Sequence, residues 1–314
     1  MGSTTSILRL RRLWPMAVVA SLALVLAACA PEEDPDDPDE PVDEETVGEV
    51  QLGYVDWAEN VANTYLWAEI LEEEGYDVET TQADAGVIFA DVADDGVDAF
   101  LDVWLPTTHE GYWDEFADEV VDLGIWYEGE ATLELAVPQY VADDLGVTSI
   151  PDLSGQGEEF GGQIIGIDTG AGLFQITEED VIPGYGLEDE GWEQVAGSEG
   201  AMLAELDTAI EAEEPIVVTL WTPHHAYSAW ELVKLEDPEG FYGEGEDLHG
   251  VASQAFADEQ PEVVEWLENF SVTEDELADL LLRFDEAGDT EDAWREAARD
   301  WIEDNRDTVD EWLT

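Results

Sequence analysis

Basic residues are almost missing from this chain of 314 residues: 8 Lys and Arg stand against 81 Asp and Glu. A phosphate backbone is bound through a Lys/Arg footprint, so this shortage excludes direct binding of DNA or RNA. It equally excludes docking to anionic lipid through a polybasic patch. Cysteine is scarcer still. Cys29 is the only one, so no disulfide can close within the chain. Several chemical signatures are also missing. There is no phosphate-cradling loop ending in Gly-Lys-Ser/Thr, no His-Glu-x-x-His pair for zinc, and no Gly-x-Ser-x-Gly elbow for a serine nucleophile. Calcium loops with alternating acids and a trailing Glu are missing too, which argues against a calcium store.

What is present argues for a folded protein. Apolar residues make up 45% of the chain and 13 residues are Trp, enough for a large core. A surface dense in carboxylates repels itself in dilute buffer, whereas at molar salt the Debye length falls to about 3 Å. The acidity therefore reads as adaptation to salt.

The first 28 residues hold Arg9, Arg11 and Arg12 and no acid, followed by the apolar run Met16–Leu26. This is the pattern of a secretory signal, too short for a comfortable membrane span. Leu26-Ala27-Ala28-Cys29 resembles the lipobox of bacterial-type lipoproteins, which implies residues 1–28 as signal peptide and Cys29 as the lipid-bearing N-terminus. The simpler alternative is a signal peptide with an incidental Cys. Residues 29–47 are mostly Pro and acid and read as an extended tether. The folded part is expected outside the cytoplasm, held to the outer face of the membrane.

From residue 48 the pattern is α/β. Val50–Val55 reads as a strand, 59–74 as an amphipathic helix closed by Gly75, Tyr76–Thr80 as a strand, Val87–Asp94 as a helix and Val97–Val103 as a third strand. A second unit follows: strand Gln163–Ile167, a Gly-rich turn, helix Met202–Glu213 and strand Pro215–Leu220. Helices are expected at 259–269, 274–287 and 290–313, the second opened by a Thr273/Glu276 capping box. Two such blocks joined by extended crossings near 128–137 and 221–230 predict two lobes around a cleft, 48–130 plus 226–314 and 131–225.

Ligands of open α/β sheets lie at the carboxyl ends of strands. Three tryptophans fall there: Trp57 after Val55, Trp104 after Val103 with His109 five residues on, and Trp221 after Leu220 with His224 and His225 beyond. Converging Trp faces make a cage for a quaternary ammonium group, and three desolvated contacts of about 2 kcal/mol each suffice for micromolar recognition. Gly166–Gly172 exposes backbone N–H groups ahead of a helix, a setting that favours an anion. Cage and turn together suit a zwitterion. The remaining tryptophans are expected in packing: Trp67, Trp113, Trp230, Trp266, Trp294, Trp301 and Trp312 on helices, Trp126 and Trp192 in core or hinge. The histidines lack zinc spacing, and no metal or cofactor is expected.

The segments GYVDW (53–57), DVWLPTTH (102–109), GIDTGAGL (166–173), SEGAMLAEL (198–206) and PIVVTLWTPHH (215–225) resemble the glycine betaine/proline betaine substrate-binding proteins of ABC importers. The resemblance runs over about residues 48–314 and includes the C-terminal VDEWL. It implies a type II periplasmic-binding-protein fold with the ligand cleft between two lobes. It also implies Trp57, Trp104 and Trp221 as a prism around trimethylammonium. The carboxylate would be held by the amides of Gly172 and Leu173 and by His109, with Ala171 and His224 just behind. His225 stands where some relatives carry an aromatic residue, which bears on the pocket rim. The implied partners are a permease and, through it, its ATPase. Choline, carnitine and proline betaine remain alternative ligands. Chemoreception of the same ligand is a further possibility, and a secreted glycoside-acting hydrolase is a rival from another class.

Overall fold

A computed structural model describes residues 46–314. The expected signal peptide, Cys29 and all but the last residues of the tether lie outside the described residues. Residues Glu45–Thr314 form one compact unit, and within it the chain builds two five-stranded sheets with the same strand plan.

The first sheet starts with β1 (Glu49–Tyr54), α1 (Ala58–Glu73), β2 (Asp77–Gln82), α2 (Ala85–Ala93) and β3 (Ala99–Leu105). β1 pairs in parallel with both β2 and β3, as the alternating pattern predicts. Gly75 closes α1 with φ +93°, in the left-handed region that glycine tolerates. α3 (Glu110–Phe116) and β4 (Val120–Ile125) follow, and the chain then crosses to the second sheet. That sheet contains β5 (Thr132–Pro138), β6 (Gln163–Ile165), β7 (Glu193–Val195), β8 (Val218–Thr222) and β9 (Leu232–Lys234). The chain returns as β10 (Asp247–Ser253), which lies antiparallel between β3 and β4. Strand orders are β2-β1-β3-β10-β4 and β7-β6-β8-β5-β9, so in each sheet four strands run one way and a single strand, β10 or β5, runs against them.

Four expectations need correction. β9 pairs with β5 in the second sheet, so the return crossing lies at 235–246 rather than at 221–230, and residues 226–234 are not part of the first lobe. β10 was missed because Gly250 and a register shift next to it break the alternation that marks a strand. The C-terminal helical run is not one helix over 290–313 but two, Glu291–Asp304 and Arg306–Trp312, parted at Asn305. Finally, α1 is not amphipathic in its surroundings: every residue from Glu59 to Leu71 is buried. Its outer face is covered by helices Glu274–Ala287 and Glu291–Asp304. Some of the polar groups on α1 find partners, while Asn63 and Asn60 Nδ2 have none. Asn60 Oδ1 accepts the Val55 N–H at 2.7 Å, and Glu69 is held by Arg295 and Arg299 at 2.8 Å each.

The capping box is formed: Thr273 Oγ1 accepts the Glu276 N–H, and Glu276 accepts the Thr273 N–H at 2.9 Å. Trp67, Trp266, Trp301 and Trp312 are buried in the helical layer, while Trp113, Trp230 and Trp294 are half-buried against it. Trp126 stacks on Phe270 at 5.5 Å and Trp192 packs on Phe160 at 5.5 Å, so both are core. Trp67 lies at the middle of this layer, edge-on to Phe270 and stacked with Trp312. Trp67→Ala is expected to cost about 3–5 kcal/mol in denaturant unfolding at molar KCl; a loss below about 1 kcal/mol would mean that the layer recloses around the gap.

Candidate functional site

The site lies between the two sheets, at the carboxyl ends of equivalent strands. β1 and β6 hold the same position in their sheets, as do β3 and β8. Trp57 follows β1 and the Gly-rich turn follows β6, whereas Trp104 and Trp221 fall inside the last residues of β3 and β8. Both of the latter strands run two residues past their expected ends at Val103 and Leu220, so each carries its Trp as its last residue but one.

These residues meet at one narrow cavity, lined by Trp57, Trp104, Trp221, His109, Gly172 and Leu173, together with Ala171 and Glu59. All three indoles are 5% exposed or less, so the walls are dry. His224 is not at the cavity. Its ring stands edge-on behind Trp221 at 4.5 Å. His225 lies outside as well, beside His224 and with Nε2 3.6 Å from Asp285.

A buried indole N–H is costly to leave without an acceptor; those of Trp67, Trp126, Trp192 and Trp301 have none, whereas each of the three at the cavity has one. Trp57 Nε1 donates to Asp168 at 3.2 Å, Trp104 Nε1 to Asp102 at 2.9 Å and Trp221 Nε1 to Glu59 at 2.9 Å. One carboxylate thus fixes each ring. Sequence reasoning missed all three acids, because in a chain with 81 of them no single one stands out. A usable signal existed for Asp102, which lies two residues before Trp104 and so on the same face of β3.

His109 is held in one tautomer. Its Nδ1 accepts the Trp104 N–H at 3.0 Å, which places the proton on Nε2, and this buried Nε2 has no partner. Burial pushes the imidazole down to about 3, so it is neutral. Its ring stacks on Trp57 at 5.9 Å. Across the cavity, the N–H groups of Gly172 and Leu173 open helix α5 (Gly172–Ile176) and have no acceptor one turn earlier in that helix. The cavity lining therefore combines three aromatic faces with a small set of neutral N–H donors.

The acids nearest the cage are unusual. Burial and the neighbouring Glu199 push the Glu59 carboxyl up, against the pull of the Trp221 N–H. Burial and Glu59 likewise lift Asp102 well above the carboxylate range. Burial raises Glu199 to about 7. These acids sit where a cation in the cavity would relieve them.

Glu199, His224 and His225 are close enough in space to suggest an ion site. The donor set does not fit one. His224 Nδ1 accepts the Ala226 N–H at 3.0 Å, so Nε2 carries the proton and donates to Glu199 at 3.1 Å instead of offering a lone pair.

Comparison with known proteins decides the family. The model of the substrate binding domain of ABC-type glycine betaine transport systems matches residues 48–304. The chain belongs to that family. It is 35% identical over 156 residues to the glycine betaine/carnitine transport binding protein GbuC of Listeria monocytogenes, a match spanning 50% of this chain and 50% of the relative. The crystal structure of lactococcal OpuAC, closed on glycine betaine, superposes with a TM-score of 0.77 at 32% identity, covering 85% of this chain and all of that one. The glycine betaine/L-proline-binding protein ProX of Borrelia burgdorferi gives a TM-score of 0.78 at 30% identity, covering 85% of this chain and 97% of that one. The two-lobed α/β architecture of this family is the one found here.

In this member of the family the turn glycine is a steric requirement. A Cβ on Gly172 would overlap the Thr108 carbonyl oxygen, across the cleft. Gly172→Ala is expected to prop the lobes apart and weaken ligand binding by about tenfold or more with little change in melting temperature. Unchanged affinity would show that the lobes do not approach this closely when ligand is bound.

Proposed function

We propose that the protein captures glycine betaine outside the cell and delivers it to an ABC permease for osmoprotection. The carrying observation is the make-up of the cavity lining: three dry indole faces together with the unpartnered Nε2–H of His109 and the opening amides of α5. The trimethylammonium group would sit among Trp57, Trp104 and Trp221, where cation–π attraction is strongest when desolvated. The carboxylate would accept from His109, Gly172 and Leu173. A neutral His suits this task, because it donates a hydrogen bond without adding a buried charge. Choline has no carboxylate and would leave these donors unpaired, which favours the zwitterion.

Delivery follows from closure. The ligand touches both lobes, so it prefers the shut cleft and shifts an open–closed equilibrium toward it. The permease would read the closed form. Lipid attachment through Cys29 and an acidic tether would keep the protein at the outer face of the membrane, and its carboxylate surface would suit high salt. A cell in such surroundings gains from importing a compatible solute.

Isothermal titration at molar KCl is expected to show saturable one-to-one binding of glycine betaine, with glycine silent and choline weaker. Trp104→Ala should lower the affinity by more than about tenfold while the fold persists. Silence of all methylammonium ligands toward folded protein would overturn the proposal.

The buried acids add a pH dependence with a defined sign. Glu59 lines the cavity and faces Asp102 and Glu199, while His109 and His224 are pushed down to about 3 and stay neutral. A bound cation favours ionised Glu59, so binding expels protons and the affinity rises with pH up to about 8, the value to which burial and Glu199 push the Glu59 carboxyl. Glu59→Gln should flatten that rise. A flat profile in the parent protein would show that Glu59 is already ionised in the empty cleft.

A further inference from the structure

We propose that Glu59 and Asp168 are positioning residues that form a reciprocal latch, each accepting the indole N–H of a cage tryptophan carried by the opposite lobe. Trp57 belongs to the first lobe and reaches Asp168 in the second; Trp221 belongs to the second lobe and reaches Glu59 in the first. The hydrogen bonds run in opposite directions over the same cleft. Trp104 differs in kind, because its acceptor Asp102 lies two residues away on the same strand. One wall of the cage is thus preset, and two walls gain their acceptors only when the lobes meet.

The surroundings of both acids fit this role. Glu59 is 1% exposed and stands in the first turn of α1, where the helix end favours its negative charge. Water cannot replace it as the acceptor in the shut cleft, so a missing bond leaves a buried N–H unanswered. Asp168 does two things with one carboxylate. Its Oδ2 accepts from Trp57, and its Oδ1 accepts the Gly170 N–H at 3.1 Å within the turn that leads to Gly172. The acid that fixes one wall of the cage therefore also shapes the turn bearing the α5 amides. Two more bonds span the same gap: the Ala58 N–H to Glu199 at 2.9 Å and the Tyr112 hydroxyl to the Gly170 carbonyl at 2.9 Å. The first sits beside Glu59, so closure at that point is cooperative.

The latch adds nothing to the open form and stabilises only the closed one, which is the kind of interaction that converts binding into closure. It rests on the betaine-capture reading for its physiological meaning, but not for its test.

The test uses the full chain labelled with 15N at tryptophan, followed by the indole N–H signals, with Trp57 and Trp221 assigned by Trp→Phe replacement. In the ligand-free protein Asp168→Ala is expected to lower the exchange protection of the Trp57 indole and, through loss of closure, that of Trp221 as well. Glu59→Ala should do the converse, and Asp168→Asn, which keeps an acceptor oxygen, should restore both. With glycine betaine added, each Ala variant should bind about tenfold more weakly and the Asn variant within about threefold of the parent. If each Ala variant affects only its own indole, the bonds are local and the latch is wrong. A parent protein that ignores glycine betaine yet shows the reciprocal loss would sink the ligand reading and leave the latch standing. Should an Ala variant fail to fold, the comparison of Asp168→Asn with Asp168→Leu carries the same decision.

Discussion

The hydrogen bond from a buried indole N–H to a carboxylate is the constraint around which this cleft is built. Dry Trp faces each bring a polar N–H that is costly to bury without an acceptor, and at the cavity, unlike at Trp67, Trp126, Trp192 and Trp301, every indole has one. Asp168, Asp102 and Glu59 answer the three, and all three rings are thereby fixed in orientation. The solution has a cost, since two of these acids are buried together and burial lifts both carboxyls. Under the proposed function, that cost is what a bound cation would offset.

The repetition of one strand plan in both sheets places these groups. β1 and β6 each end where the chain turns into the cleft, one bringing Trp57 and the other the Gly-rich turn; β3 and β8 each carry a Trp as the last residue but one. Facing sheets with the same plan present their carboxyl ends to each other, so elements far apart in sequence converge without long loops. Gly172 against Thr108 and Trp57 beside Asp168 are the closest results of that convergence. The return strand β10 then stitches the first sheet together after the excursion, antiparallel to both its neighbours.

Much of this could be read in the chain. The strand–helix alternation of 50–103, the Gly75 stop and the Thr273 capping box are local signals with local causes, and the structure repeats them. Of the named positions, Trp57, Trp104, Trp221, His109, Gly172 and Leu173 line one cavity, while His224 and His225 lie outside it. The unread parts have physical reasons. β10 carries a glycine and a register shift where alternation should be, and β9 has only three residues, too few for a period to show. The burial of α1 on all sides depends on helices more than 200 residues further on, which no window of sequence can supply. The carboxylates behind the cage were hidden by abundance: an acid becomes informative only when its burial is known. His225, which a motif comparison marks for the pocket rim, instead turns outward to Asp285.

The most direct test of the account is the structure of this protein with glycine betaine bound. The account predicts the trimethylammonium group enclosed by Trp57, Trp104 and Trp221, and the carboxylate within hydrogen-bonding distance of His109 Nε2 and the amides of Gly172 and Leu173. A ligand with its carboxylate turned toward Glu59, or bound outside the three indoles, would contradict it.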